Sequence, residues 1–370
     1  KMRASFAEVG GPINYTGLTP GTVTDPMKGG VINPISVYPF PNFKAEQTKS
    51  YELGTNLRLF NNKINIDATV YLTDTYNQTF LSSMSPASGY SGFYVQAGKV
   101  RNKGIELSLG YNDRFGKVGY ATNLTYTANR NKIMKMVHDY KNPSDGSLFS
   151  ITELTLQDKG GVYLREKDAI GDVYVKGILA RGKDGKLIEE EGGYKVDRSQ
   201  RIKIGSVNPD FSIGWRHNVT WNNITLDLLF NGRFGGIVTS STQAFLDDYG
   251  VSKDTYKARQ NGGVWVNGTQ YDAEKYYTTI GGEQLMAYYA YKATNIRLQE
   301  ASLSYTLPGK WFGNVINRLT VSAIGRNLWM IYNKAPFDPE MTSSTGTYNR
   351  GDVFMPPSLR SVGFSVKIEL

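Results

Sequence analysis

From Ile64 to Thr73 the chain alternates without a break. Ile64, Ile66, Ala68, Val70 and Leu72 fall on one side of an extended backbone, and Asn65, Asp67, Thr69, Tyr71 and Thr73 on the other. Successive side chains of a strand point to opposite faces, so this period of two predicts a strand with one apolar and one polar face. Tyr51, Leu53, Leu57 and Leu59 keep the same rhythm against Glu52, Gly54, Asn56 and Arg58, and Asn61–Asn62 supplies a short turn between the two runs. Residues 50–73 therefore read as one hairpin. The rhythm returns at 105–112, 120–126, 211–220, 224–233, 303–307 and 319–321. It closes the chain at 360–370, where Val362, Phe364, Val366, Ile368 and Leu370 oppose Ser361, Gly363, Ser365, Lys367 and Glu369. With an opening strand near Met2 to Val9, the pattern predicts about ten strands.

The spacing between strands carries the topology. Links near 61–63, 114–117 and 222–223 are very short and 308–317 is moderate, whereas those near 11–42, 74–97, 131–208, 235–292 and 328–359 are long. Outer-membrane barrels alternate links in this way, with short periplasmic turns and long external loops. A run of about ten residues suffices for a tilted strand to cross a bilayer. Tyr111, Phe115, Trp221, Trp311 and Phe312 stand beside the short turns, where an interfacial aromatic girdle belongs. A chain ending on an alternating strand also suits a cylinder that must close, because an open edge in lipid leaves backbone groups unsatisfied. The expected fold is all-β, an antiparallel transmembrane β-barrel of five up-down hairpins, with both termini at the periplasmic end.

Composition changes this picture little. Gly 40, Tyr 25 and Phe 16 suit strands, turns and long ordered loops better than helices. A mean hydropathy of −0.39 conceals a membrane pattern in which only alternate residues are apolar. No apolar run approaches the ~18 residues of a helical span. There is no cysteine, and the net charge of +9 is spread, with no basic run of the kind that binds nucleic acid. A basic exterior suits anionic lipid headgroups or lipopolysaccharide, and ordinary solubility equally well. The start, Lys1-Met2-Arg3-Ala4-Ser5-Phe6, carries no leader, so a signal peptide was removed or the true start lies upstream.

Several segments resemble the SusC/RagA-like family of TonB-dependent outer-membrane transporters, nutrient importers of Bacteroidota. They are E-Q-T-K-S-Y-E-L-G at 46–54, N-I-D-A-T-V-Y at 65–71, G-K-V-R-N-K-G-I-E at 98–106 and N-P-D-F-S-I-G-W at 208–215. I-R-L-Q-E-A-S-L-S-Y-T-L-P at 296–308, G-R-N-L at 325–328 and P-P-S-L-R-S at 356–361 complete the series in the family's order. The resemblance implies that 1–370 is the C-terminal part of a barrel of about 22 strands. The signal peptide, N-terminal extension, TonB-contact segment and plug domain of the family are then absent from this chain. It further implies import of an oligosaccharide or oligopeptide, with a SusD-like surface lipoprotein and TonB as partners, and a dimer of transporter–lipoprotein pairs as one arrangement. Leu370 departs from the aromatic that more often ends such barrels.

Catalytic chemistry is sparse. The only histidines are His138, in a polar loop beside Asp139, and His217, on the apolar face between Trp215 and Val219. Neither stands where a barrel protease or lipase needs its base. A self-contained small barrel enzyme, or a passive porin, is the alternative to the importer. No metal-ligand spacing or cofactor motif appears, so no enzyme activity and no cofactor are expected; Asp247–Asp248 is a pair that could help bind calcium in an external loop. The polar face offers Glu52, Arg58, Asp67, Glu106, Asp227 and Arg233 toward the lumen, where they would hold a plug. Loop 235–292 mixes aromatics with Asp, Asn and Gln, a combination that binds sugars by stacking and hydrogen bonding and binds peptides comparably. Trp265 and Tyr271, then Tyr249 and Tyr276, are the expected substrate contacts.

Overall fold

The computed structural model of the chain describes residues 1–11, 37–38, 44–83, 85, 87, 92–141, 148–156, 162–313, 315–343 and 351–370. The chain forms two compact units, Lys1–Tyr111 with Thr125–Gly171, and Asn112–Leu124 with Asp172–Leu370.

In the first unit β1 (Met2–Gly10), β2 (Gln47–Leu59), β3 (Ile64–Ser83), β4 (Gly92–Phe115) and β5 (Val118–Lys135) pair in chain order. The tip of the β4–β5 hairpin, Asn112–Leu124, belongs to the second unit. There the order runs from that tip through β6 (Phe211–Trp221), β7 (Ile224–Phe234), β8 (Asn295–Pro308) and β9 (Arg318–Asn333) to β10 (Ser361–Glu369). The ten strands are those the alternation predicts. The two asparagine turns also hold: Asn61, Asn62 and Asn222 have φ of 56°, 65° and 51°, a left-handed backbone that asparagine tolerates better than most residues.

Registers turn the alternation into two faces. Leu226, Leu303, Ala323 and Phe364 form one cross-strand row, and Ile224, Tyr305, Val321 and Val366 the next. In the first unit Leu53, Val70 and Ile105 are likewise opposite one another. Most of these side chains are exposed, as are Phe115, Trp221 and Trp311 beside the short turns. Apolar rows left uncovered on one face of an antiparallel sheet are what lipid contact requires. The other face is polar: Ser304–Ser322 and Thr306–Thr320 hydroxyl pairs lie 2.8 and 3.2 Å apart across β8 and β9.

One expectation about the links is corrected, and two of the long links carry structure of their own. Residues 74–97 are not a long loop, since β3 runs for 20 residues and β4 for 24, and their ladder continues from Asp74↔Arg101 to Ser83↔Gly92. Beyond a membrane, strand pairing needs only backbone hydrogen bonds and residues such as Thr, Tyr and Gln, so the apolar alternation stops before the strand does. The link between β5 and β6 contains its own pair, Asp172–Leu179 with Val196–Ser206. The link between β7 and β8 holds three helices, against a composition that argues for loops: α1 (Ser241–Asp248), α2 (Lys253–Gln260) and α3 (Ala273–Gly282). Each is short, and each begins at a side-chain cap, Ser240, Ser252 and Asp272.

Candidate functional site

In the second unit, the links that leave the far ends of β7 and β9 fold into a common body. Ser240 is fully buried; its hydroxyl donates to Asp352 at 2.7 Å and accepts the Gln243 N–H at 2.9 Å, so one side chain caps α1 and holds the segment 351–360. Asp352 in turn accepts the Met355 N–H, and Phe354 donates its N–H to Thr242. The core beneath comprises Leu179, Leu187, Tyr194, Ala244, Tyr271, Tyr276, Ile280, Leu285 and Tyr289. Its tyrosines do more than fill space. The Leu187 N–H donates to Tyr271 Oη inside the core, and the Leu179 N–H to Oη of Tyr288, which packs against it, each at 3.0 Å, so backbone of the 172–206 segment is satisfied by tyrosines.

Between the helices lies a cleft of about 510 Å³ lined by Asp247, Asp248, Tyr249, Arg259, Asp272, Glu274, Tyr277 and neighbouring glycines and threonines. Burial pushes the Asp247 carboxyl above its ordinary value despite the hydrogen bonds it accepts, among them Gln243 Nε2 at 3.0 Å. Burial also raises Tyr277 to about 12, and raises Tyr276, Tyr289 and Tyr291, so these phenols stay protonated at any physiological pH. Among the described residues no group of three or more His, Cys, Asp or Glu gathers as a metal ion would need.

The four expected substrate contacts separate into two kinds. Tyr271 and Tyr276, at 8% and 9% exposure, are core residues whose ring faces are occupied; Tyr194 meets Tyr271 edge-on and Tyr277 meets Tyr276 likewise. Tyr249 and Trp265, at 76% and 62%, are open to solvent. Tyr249 ends α1 on the cleft, and Trp265 sits in a small hairpin, Val264–Val266 with Thr269–Tyr271. Arg259, Asp272 and Glu274 were not singled out by sequence, although Asp272 and Ser252 carry the capping signal that would have placed the helices.

The polar face holds its residues in networks. In the first unit Arg3 donates to both Asp67 oxygens, at 3.2 and 2.8 Å, and to Thr69, while Asn56 reaches Asp67 at 3.0 Å and Glu52 lies 3.6 Å from Arg3. Arg3 crosses directly over Gly54, where a Cβ would stand 2.6 Å from Nε. Tyr71 similarly crosses Gly104 to reach Asn129, so glycines of two of the singled-out motifs are vacancies for a neighbour's side chain. Arg58 and Glu106 stand exposed on this face. In the second unit Asp227 joins Arg216 at 2.8 Å and Asn218 at 3.1 Å, and Arg233 donates to the Val207 carbonyl at 2.6 Å. His138 pairs with Glu166 at 2.5 Å rather than with Asp139.

Three motifs meet at one buried point. Arg297 of the 296–308 segment donates to Asp338 at 2.8 Å, the two side chains being 4% and 8% exposed. It also reaches Asn327 of G-R-N-L at 3.3 Å. Asn327 donates to Ser358 of P-P-S-L-R-S at 2.8 Å, and Ser358 closes the ring on Asp338.

A family model described as TonB dependent receptor-like, beta-barrel, matches residues 1–226. The chain belongs to this family of receptor barrels. Among curated relatives, TonB-dependent receptor P3 of Formosa agariphila is 24% identical over 369 residues, covering 92% of this chain and 36% of that receptor. Receptor P39 of the same organism is 21% identical, covering 84% and 34%. The chain thus spans about a third of the length of these TonB-dependent receptors. Its fold resembles solved structures described as the RagAB peptide transporter, TM-score 0.68 at 16% identity, and the RagAB peptide importer in a closed-closed state, 0.73 at 18%. Each match covers 99% of this receptor chain and 40% of the solved one.

Proposed function

We propose that the chain is the C-terminal barrel portion of an outer-membrane importer that takes up an oligopeptide, driven by TonB and aided by a SusD-like lipoprotein. The observation that carries this reading is a receptor-barrel sheet with a lipid-type apolar face, bearing at its long-link end a folded body with a charged cleft. The cleft offers carboxylates and Arg259, both signs of charge, which suits the termini and side chains of a peptide better than a neutral sugar. The description of the similar solved structures as a peptide importer supports the same choice. Oligosaccharide uptake is the second reading, favoured by the open rings of Tyr249 and Trp265.

The polar-face residues Glu52, Arg58, Asp67, Glu106, Asp227 and Arg233 would then face the plug. The direct test is uptake of labelled oligopeptides and oligosaccharides by cells lacking the full-length gene, with and without its restoration. Restored peptide uptake that fails when TonB is deleted is expected. TonB-independent passage would contradict the proposal, and restored uptake of oligosaccharide alone would select the second reading. Tyr249→Ala with Trp265→Ala should weaken uptake at low substrate about tenfold, since a stacked aromatic contributes about 0.5–1.5 kcal/mol, while leaving the folded barrel on gels unchanged.

A further inference from the structure

On the face of the first unit that carries the apolar rows, the side chains change character abruptly toward the long-link end. The row Phe6, Tyr51 and Leu72 is still apolar, but its next member is Lys103. The following row is Glu8, Lys49, Asp74 and Arg101, and the one after brings Tyr76 opposite Lys99. On β5 the same change occurs. Asn131 bonds Asn102 at 2.8 Å on the polar face, so Arg130 and Lys132, its neighbours, project from the opposite face, as do Arg101 and Lys103 beside Asn102. Six cations therefore gather against two carboxylates, at the end of the last apolar row and directly beyond it.

Part of this charge is fixed in place. Asp74 accepts Arg101 Nε at 2.7 Å and Nη2 at 2.8 Å, and Lys99 Nζ at 2.8 Å, while Lys99 lies 5.1 Å from the centre of the Tyr76 ring. Lys49 stands 3.5 Å from Glu8. Lys103 and Lys132 are exposed. Below the patch, the apolar rows run along β3 from Ile64 to Leu72, close to the run of about 9–11 residues that a tilted strand needs to cross hydrocarbon.

We propose that this patch is a binding site for lipopolysaccharide, its cations holding the glycolipid's phosphates while acyl chains lie on the Phe6, Tyr51 and Leu72 row below. The proposal rests on the outer-membrane reading, which puts long links at the external surface and hence the patch at the outer leaflet. Charge complementarity and continuity with the apolar rows select this ligand. Phosphates are held by lysine as a point charge and by arginine in fork geometry. The position, on the lipid face at headgroup depth, is one that a soluble anion would have no reason to use.

The test uses the full-length transporter, extracted from outer membrane and examined by native mass spectrometry for retained lipopolysaccharide. The variant Lys103→Gln/Arg130→Gln/Lys132→Gln should lower the lipopolysaccharide-bound fraction about tenfold or more, each cation near a charged membrane surface contributing appreciably. Lys63→Gln, in the short turn between β2 and β3 at the opposite end of these strands, should leave it unchanged. Heat-modifiable migration confirms that each variant is folded, and the single Lys132→Glu serves if the triple variant is not. Undiminished retention by a folded variant would overturn the assignment, as would preference for phospholipid when both lipids are offered equally. Peptide uptake is read separately, so loss of lipid with uptake intact leaves the importer reading standing, and the reverse result leaves the lipid site.

Discussion

Arg297 and Asp338 sit inside the protein 41 positions apart in sequence, and removing Asp338 leaves the buried Arg297 only the more distant, half-exposed Glu340 at 3.6 Å. Breaking such a buried pair costs about 3–5 kcal/mol. Asp338→Ala should therefore release the 334–343 segment, read as faster amide exchange there, while Arg297→Met with Asp338→Leu recovers much of the loss. Burial pushes the Asp338 carboxyl up, but Arg297, Ser358 and the Glu340 N–H outweigh it and hold it below the usual 3.8. A depressed carboxylate contributes stability at pH above its unfolded value and loses it as pH falls through the folded one. The same segment should accordingly loosen below pH 3.8, and not between pH 5 and 8. Gly104→Val is a second test at this scale. Its Cβ would stand 2.5 Å from Tyr71 and 2.6 Å from the Ala128 carbonyl, so displacement of Tyr71 and a loss of about 1–3 kcal/mol are expected in thermal unfolding.

At the scale of elements, the helices depend on their caps more than on their sequence. α1 and α2 each have 8 residues, too few to persist alone. Ser240→Ala removes the cap of α1, which is worth about 0.5–2 kcal/mol, and also removes the donor that holds Asp352. Limited proteolysis should then cut within 241–260 and at 351–360 together, whereas Ser252→Ala should open α2 alone. The strands were legible because apolar and polar residues alternate strictly at 64–73 and 361–369, and the turns because Asn61, Asn62 and Asn222 suit a left-handed backbone. The full lengths of β3 and β4 were not, because pairing outlasts the apolar pattern. Nor were the helices, whose short polar sequences fold only on a tertiary core. Tyr271 and Tyr276 illustrate the same limit: an aromatic residue reads alike in sequence whether it packs a core or waits for a ligand. The convergence of Arg297, Asn327, Asp338 and Ser358 joins three motifs that sequence marked separately and gave no means to connect.

For the whole molecule, β1 and β10 stand at the two ends of the strand order. In a membrane an edge without a partner leaves a row of backbone groups that lipid cannot satisfy. A polypeptide of residues 1–370 expressed by itself should aggregate or fail to insert, judged by the absence of a heat-modifiable band after refolding in detergent. The intact mass of the native polypeptide, isolated from outer membrane, tests the importer reading most directly. A mass well above 41.2 kDa is expected, consistent with the 36% share of receptor P3 that this chain covers. A single stable species of 41.2 kDa, inserted without any companion fragment, would contradict it.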